Sequence, residues 1–315
     1  MNTTDRRLES LGMPLFGVGT WSGLEDTIDD DTVSNAVFFA IKNGYRLIDC
    51  ALVYGNQKAV GKGIKRALDE LDGVTREDLF IVGKLWNTQW GHVADAARLT
   101  LEQLGLEYMD LFITHWPVPF DSAEPHEELF PRGEDGEVII NEEMTIDHMW
   151  RQMIAIKEDG LTRHIGVSNF LQHHFKEIID AGLTLPEVDQ IELSPALRNR
   201  ELVNFLQEHG VAVMSYSTLG GGSRSNLLEH EVLKTLSAKH SCGPANIILA
   251  WAIQNDFIVI PKSSKEHRII SNKNDSNIIL DAEDLEAIET MDDENARTLD
   301  GEIASWIGRV FPAKK

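Results

Sequence analysis

The sequence predicts an α/β protein, a (β/α)8 TIM barrel with an N-terminal β-hairpin ahead of it and extra C-terminal helices after it. Apolar runs of strand length alternate with stretches of helical period from residue 15 to about residue 260. Eight such units can be counted, the number that closes a parallel sheet through right-handed crossovers. No shift in composition marks a second core, so residues 1–315 read as a single domain with a variable tail from about residue 296.

Residues 6 to 21 read as the hairpin and first strand: Arg7-Leu8-Glu9-Ser10, a turn at Leu11-Gly12-Met13-Pro14, then Leu15 to Thr20. Asp29-Asp30-Asp31-Thr32 caps a helix whose apolar positions Val33, Val37, Phe38 and Ile41 precede a stop at Asn43-Gly44. Strand Arg46 to Ala51 and helix Lys58 to Leu71 follow, then strand Leu79 to Leu85 behind the capping signal Thr75-Arg76-Glu77-Asp78. Helix Val93 to Leu104 and strand Met109 to Trp116 complete the fourth strand. Residues 117 to 142, with Pro117, Pro119, Pro125 and Pro131 among many acids, break the rhythm as a long loop of the functional kind.

Beyond that loop come helix Ile146 to Asp159, strand His164 to Ser168, helix Leu171 to Ala181, strand Val188 to Leu193 and helix Asn199 to His209. Strand Val211 to Ser217 precedes helices Val232 to His240 and Pro244 to Gln254, and Phe257 to Ile260 is the last strand. Lys265 to Asn272 and Ala282 to Asp292 are further helices.

Composition bounds the partners. With 51 acidic against 29 basic residues the formal charge is −22, a field that repels nucleic acid and anionic lipid. Cys50 and Cys242 are the only cysteines, which suits a reducing compartment. The N-terminus lacks the apolar run of a secretory signal, and the longest strongly apolar stretch, Ile247 to Ile253, falls far short of the ~20 residues that span a bilayer. The expectation is a cytoplasmic protein, a monomer, without nucleic-acid or membrane partners.

A barrel of this kind places its chemistry at the C-terminal ends of the strands. The second strand ends in Asp49, the third in Lys84, the fourth in His115 and the fifth in Ser168-Asn169. The sixth carries Gln190, the seventh ends at Tyr216, and the eighth leads into Lys262. Each has a plainer reading alone: a strand-end aspartate can cap a helix, and His115 can be a satisfied core histidine. Together on one mouth they supply an acid, an ammonium, an imidazole and a phenol, and Tyr54, just past the second strand, has Lys84 as a cationic neighbour.

These residues sit in stretches that resemble the aldo-keto reductase superfamily. The stretches are Gly17-Val18-Gly19-Thr20-Trp21, residues 44–54 (GYRLIDCALVY), Gly83-Lys84-Leu85-Trp86-Asn87-Thr88, Thr114-His115-Trp116-Pro117, Gly166-Val167-Ser168-Asn169-Phe170 and Ile260-Pro261-Lys262-Ser263. Glu128-Leu129-Phe130-Pro131 and Trp150 look most like the aldose and aldehyde reductase branch. The resemblance implies reduction of aldehydes or ketones to alcohols by hydride transfer. It also implies a catalytic tetrad of Asp49, Tyr54, Lys84 and His115, without a metal. Tyr54 would protonate the carbonyl oxygen, its pKa lowered by Lys84, which Asp49 holds. His115 would orient the substrate as a neutral donor.

The same resemblance assigns NADPH, with NADH possible, to Thr20, Trp21, Ser168, Asn169, Gln190, Tyr216, Ser217 and Leu219 on one side and Lys262, Ser263, Ser264, Arg268 and Asn272 on the other. Independently of it, Lys262, Lys265, Arg268 and Lys273 cluster in a very acidic chain, which suits a phosphate, though a solvated basic helix face would look the same. The substrate pocket would be apolar and aromatic, from Trp21, Trp86, His115, Trp116, Phe130 and Trp306; core filling is the other account of those rings.

Other chemistries lack their signatures. Gly17, Gly19 and Gly23 have the wrong spacing for a Rossmann turn, and no Walker, HExxH or EF-hand pattern occurs. The competing reading is a non-catalytic NADPH-binding barrel, of the channel-subunit or crystallin kind. Departures from the branch pattern are Gln57, Ser194, Thr218 and Ser271, together with a short glycine-rich stretch at residues 219–228 where relatives fold a longer belt over the pyrophosphate. The short stretch predicts weaker retention of NADPH.

Overall fold

The computed structural model describes residues 10–21, 29–221, 226–293, 296–297 and 306–310. Eight parallel strands run in sequence order: β1 Gly17–Gly19, β2 Leu47–Asp49, β3 Phe80–Leu85, β4 Met109–Thr114, β5 Thr162–Ser168, β6 Val188–Glu192, β7 Ala212–Tyr216 and β8 Ile258–Val259. The eighth returns to the first through parallel bridges Phe16 to Val259 and Gly19 to Lys262, and the Val259 amide donates to the Leu15 carbonyl at 2.8 Å. The barrel is thereby closed and has no free edge.

Helices α1 Asp30–Lys42, α2 Gln57–Glu70, α3 Val93–Leu104, α4 Ile146–Glu158, α5 Gln172–Asp180, α6 Arg200–Glu208, α7 Glu231–His240 and α8 Pro244–Gln254 pack outside. After them come α9 Glu266–Asn274, α10 Ala282–Glu289 and the short α11 Ile307–Val310. The local signals set the boundaries. Asp29 caps α1 by accepting from the Thr32 amide at 2.9 Å. Gly105 ends α3 in the left-handed conformation, and Pro244 opens α8 in its first turn. Two glycines let α2 lie close to its neighbours: a Cβ on Gly61 would meet the Leu104 carbonyl oxygen at 2.6 Å, and one on Gly63 the Ser34 oxygen at 2.6 Å.

The first arm of the expected hairpin, residues 6–9, lies outside the described residues; Ser10 at its end is helical together with Leu11 rather than extended. Leu11 and Met13 instead join Leu47, Phe80, Leu111 and Ile258 in the barrel interior. The long loop of residues 117 to 142 folds on itself through antiparallel bridges Phe120 to Ile140 and Arg132 to Val138. Among the described residues, no helix is long and apolar enough to cross a membrane.

The pleat decides what the barrel mouth contains. Phe80, Val82 and Lys84 alternate inward along β3, Leu47 and Asp49 along β2, Val188 and Gln190 along β6, and Ala212, Met214 and Tyr216 along β7. The lower layers are apolar, and the uppermost inward position on each of these strands is polar.

At the opposite, N-terminal end of β6, Glu187 is a stability element. Burial alone would raise its pKa, but bonds from His164, Lys157 Nζ at 2.9 Å and the Ile165 amide at 3.0 Å hold it down at about 2. A depressed folded pKa gives stability that is present above the unfolded value and is lost as pH falls from there toward 2. Glu187→Gln should therefore lower stability at neutral pH by roughly 3 kcal/mol and flatten the acid limb. Urea unfolding at a series of pH values checks this; an unchanged acid limb would refute it.

Candidate active site

The polar inward positions meet at the C-terminal mouth. Lys84, at 1% exposure, donates from Nζ to Asp49 Oδ2 at 2.7 Å and to Tyr54 Oη at 2.6 Å. Asp49 is equally enclosed, and its other oxygen accepts from Gln190 Nε2 at 2.8 Å. Tyr54 reaches this cluster because a single 3-10 turn, Leu52–Tyr54, follows β2 and ends at Gly55 with φ 69°. His115 follows β4, its amide bonded to the Leu85 carbonyl at 3.0 Å, and its ring meets Tyr54 edge-on at 5.7 Å and Trp86 at 5.3 Å.

The charge states follow from enclosure. Burial and then the Lys84 charge push the His115 pKa well below its usual value, so the ring is neutral at pH 7 and carries one donor and one acceptor nitrogen. The expectation for Tyr54 is corrected: its pKa is raised well above the ordinary phenol value, first by burial and then by Asp49 and Cys50. Loss of hydration and the neighbouring Asp49 and Cys50 all disfavour the phenolate. The phenol is therefore protonated, and because Lys84 donates into its oxygen, the Tyr54 hydrogen points away from Lys84.

The side chains expected to hold a nicotinamide amide are adjacent. Ser168 Oγ donates to the Gln190 carbonyl at 2.7 Å, Asn169 Nδ2 donates to the His115 carbonyl at 3.1 Å, and Tyr216 Oη donates to Asn169 Oδ1 at 2.7 Å. Asn169 holds φ at 63°, a left-handed conformation that asparagine tolerates. Ser217, at φ 51°, and Leu219 stand half-buried just past β7; residues 222–225 of the glycine-rich stretch lie outside the described residues. Thr20 donates to the Asp49 carbonyl at 2.8 Å, and Trp21, 40% exposed, stacks obliquely on Tyr54 at 5.0 Å.

A narrow cleft beside the mouth is lined by Gly19, Thr20, Val37, Lys262, Ser263 and Ser264 among others. It lies on the side of the expected phosphate residues, while the tetrad opens to the barrel centre. Lys265 and Arg268 stand exposed nearby on the start of α9, and Asn272 is buried farther along that helix. Exposed cations beside a cleft in so acidic a chain fit a phosphate-bearing cofactor. Lys273 does not belong to that set: its Nζ donates to the Gly44 carbonyl at 2.6 Å, closing the C-terminal end of α1.

Four of the six residues expected around the substrate pocket lie together. Trp86, Trp116, Phe130 and Trp306 form one cluster, with Trp306 edge-on to Trp116 at 5.0 Å. Phe120, Val118 and Val53 also belong to it and were not singled out from the sequence, although Phe120 lies in the same proline-rich loop as Phe130. Trp86 Nε1 is committed to the Leu129 carbonyl at 2.6 Å, which ties that loop to the wall. Trp150 lies fully buried in the outer core, donating to the Thr184 carbonyl at 2.7 Å.

A closed parallel barrel whose apolar interior gives way to a buried ammonium, carboxylate and imidazole and a half-buried phenol at its C-terminal mouth is the architecture of a barrel enzyme. The chain belongs to the aldo/keto reductase family, whose pattern matches residues 15–293, and it is an oxidoreductase acting on carbonyl groups. It is 40% identical to D/L-glyceraldehyde reductase of Hypocrea jecorina over 271 residues, 82% of this chain and 79% of that one. It is 37% identical to the NADPH-dependent D-xylose reductase of Meyerozyma guilliermondii over 296 residues, 89% of this chain and 91% of the relative. Among solved structures, the aldose reductase of Schistosoma japonicum superposes with a TM-score of 0.82 at 32% identity, covering 90% of each chain.

Proposed function

We propose that this protein reduces small aldehydes and aldoses to alcohols with NADPH, using Tyr54 as the proton donor. One observation carries the reading: the Lys84 ammonium lies 2.6 Å from the Tyr54 oxygen and 2.7 Å from Asp49, all inside the barrel mouth. Reduced nicotinamide, when bound, supplies the hydride that the carbonyl carbon receives.

This chain's residues do the rest. Tyr54 gives its proton to the carbonyl oxygen as negative charge develops there, and the adjacent Lys84 stabilises the phenolate left behind. Asp49 holds Lys84 in place, and Gln190 holds Asp49. The neutral His115 donates a hydrogen bond that aligns the carbonyl oxygen with Tyr54. Trp21, Trp86, Trp116, Phe130 and Trp306 exclude water from the reacting carbonyl, which strengthens each of these interactions. Ser168, Asn169 and Gln190 would hold the nicotinamide amide, Thr20, Ser217 and Leu219 would flank the cofactor, and Tyr216 would stack on its ring. Lys262, Ser263, Ser264 and Arg268 would take the 2′-phosphate, with Asn272 on the adenine side.

The preference for NADPH has a direct test. A charge-assisted bond from arginine to phosphate is worth about 1.5–3 kcal/mol. Arg268→Ala should therefore raise the Kd for NADPH roughly 10- to 100-fold while NADH binding changes less than about twofold. Titration of tryptophan fluorescence with each cofactor reads both values, and equal losses would place the 2′-phosphate elsewhere. Oxidation of NADPH with a panel of aldehydes and aldoses tests the activity itself; consumption with none of them would overturn the reading.

A further inference from the structure

Of the cations Lys262, Lys265, Arg268 and Lys273, the last is engaged on the protein's own backbone. Lys273 Nζ donates to the Gly44 carbonyl at 2.6 Å and to the Asn43 carbonyl at 3.3 Å. These oxygens lie just past the end of α1 at Lys42, where a helix presents carbonyls without amide partners and carries partial negative charge, so an ammonium is favoured there. The position is also shaped for that group. Gly44 holds φ at 83°, and a Cβ on it would stand 2.6 Å from Lys273 Nζ, so glycine meets both the backbone and the spatial requirement.

A second tie engages α9 one helical turn earlier. Tyr45, 1% exposed, donates from Oη to the Ile269 carbonyl at 2.7 Å, and Lys273 Nζ stands 5.7 Å from the centre of the same ring. The Ile269 side chain is buried in one cluster with Tyr45 and with Val33, Val37 and Ile41 of α1. From α8, Asn246 Nδ2 donates to the Ser271 carbonyl at 2.9 Å. Both ties from residues 43–45 therefore reach α9 from one neighbour, a turn apart. A single bond there would leave a pivot, whereas two fix the roll and tilt of the helix. Arg268 immediately precedes Ile269 and is exposed on the same helix, so the direction of its guanidinium follows that roll. A bidentate bond to phosphate depends on that direction.

We propose that Lys273 is a positioning residue for cofactor discrimination: together with Tyr45 it ties α9 to the turn between α1 and β2, and so aims Arg268 at the 2′-phosphate that distinguishes NADPH from NADH. Its ammonium acts on backbone carbonyls and leaves the phosphate to Arg268. The discrimination rests on the cofactor reading given above; the attachment of α9 does not.

The test compares Lys273→Met, Lys273→Arg and Tyr45→Phe with the parent protein. Tryptophan fluorescence reads the Kd for NADPH and for NADH, and hydrogen exchange of residues 266–274 is measured on the protein without cofactor. Lys273→Met should raise the Kd for NADPH about fivefold, leave that for NADH within about twofold, and speed exchange in residues 266–274 about tenfold. Lys273→Arg keeps a cation within reach of the same carbonyls and should recover most of both effects. Tyr45→Phe removes only the other tie, should show the same loss selective for NADPH, and decides the matter if Lys273→Met does not fold. Parental affinities, or equal losses for the two cofactors, overturn the proposal, since a merely loosened fold weakens both alike. If Arg268→Ala shows no loss selective for NADPH, the cofactor reading fails and the discrimination falls with it; the exchange rates then decide whether Lys273 holds α9.

Discussion

Tyr54→Phe should abolish carbonyl reduction, lowering kcat by about 10³-fold or more, while the Kd for NADPH changes less than about twofold. The substitution removes one oxygen and keeps the ring, so the contacts with Trp21 at 5.0 Å and His115 at 5.7 Å persist and the mouth retains its shape. Lys84 keeps its bond to Asp49 at 2.7 Å, so no buried charge is left without its counter-ion. What disappears is the proton donor. The raised pKa of Tyr54 strengthens this expectation, since the phenol stays protonated through neutrality and loses its proton only as pH climbs above the ordinary phenol range. Steady-state reduction of glyceraldehyde, with cofactor affinity measured separately, checks it, and a rate near that of the parent protein would mean that another group delivers the proton.

The barrel was legible because its signals are local and repeated. Strand period, a helix start at Asp29-Asp30-Asp31-Thr32 and a helix stop at Asn43-Gly44 each specify a boundary without reference to the rest of the chain, and α1 begins and ends where those signals stand. The tetrad was legible for a related reason: once Asp49, Lys84 and His115 are known to end parallel strands, the pleat brings their side chains to one mouth. Quantities that depend on how many neighbours enclose a group were not legible. The resemblance implied a phenol pKa lowered by Lys84, but burial of that phenol pushes it the other way. Lys273 clustered with the expected phosphate cations, but its bond to the Gly44 carbonyl turns its ammonium toward the C-terminal end of α1. Phe120 and Val53 belong to the wall through the folding of a long loop, for which no periodicity exists to read.

Lys84→Met should damage both activity and stability. It should lower kcat/KM about 10³-fold, because the phenolate formed on proton transfer loses its adjacent cation. It should also cost about 3–5 kcal/mol of stability, because Asp49 is left as a buried carboxylate with Gln190 Nε2 in place of a counter-ion. These two effects have different origins and can be separated. In the double variant Asp49→Asn with Lys84→Met no charge is buried, and a buried pair replaced by neutral groups of similar volume is commonly near neutral in stability. The double variant should therefore regain most of the lost stability, to within about 2 kcal/mol of the parent protein, yet remain as inactive as Lys84→Met. Urea unfolding and glyceraldehyde kinetics on the same four proteins, including Asp49→Asn alone, supply the cycle. A double variant as unstable as Lys84→Met would show that packing of the lysine stem, and not the ion pair, accounts for the loss. Activity returning with stability would show that Lys84 serves the fold and leaves the chemistry to Tyr54 and His115.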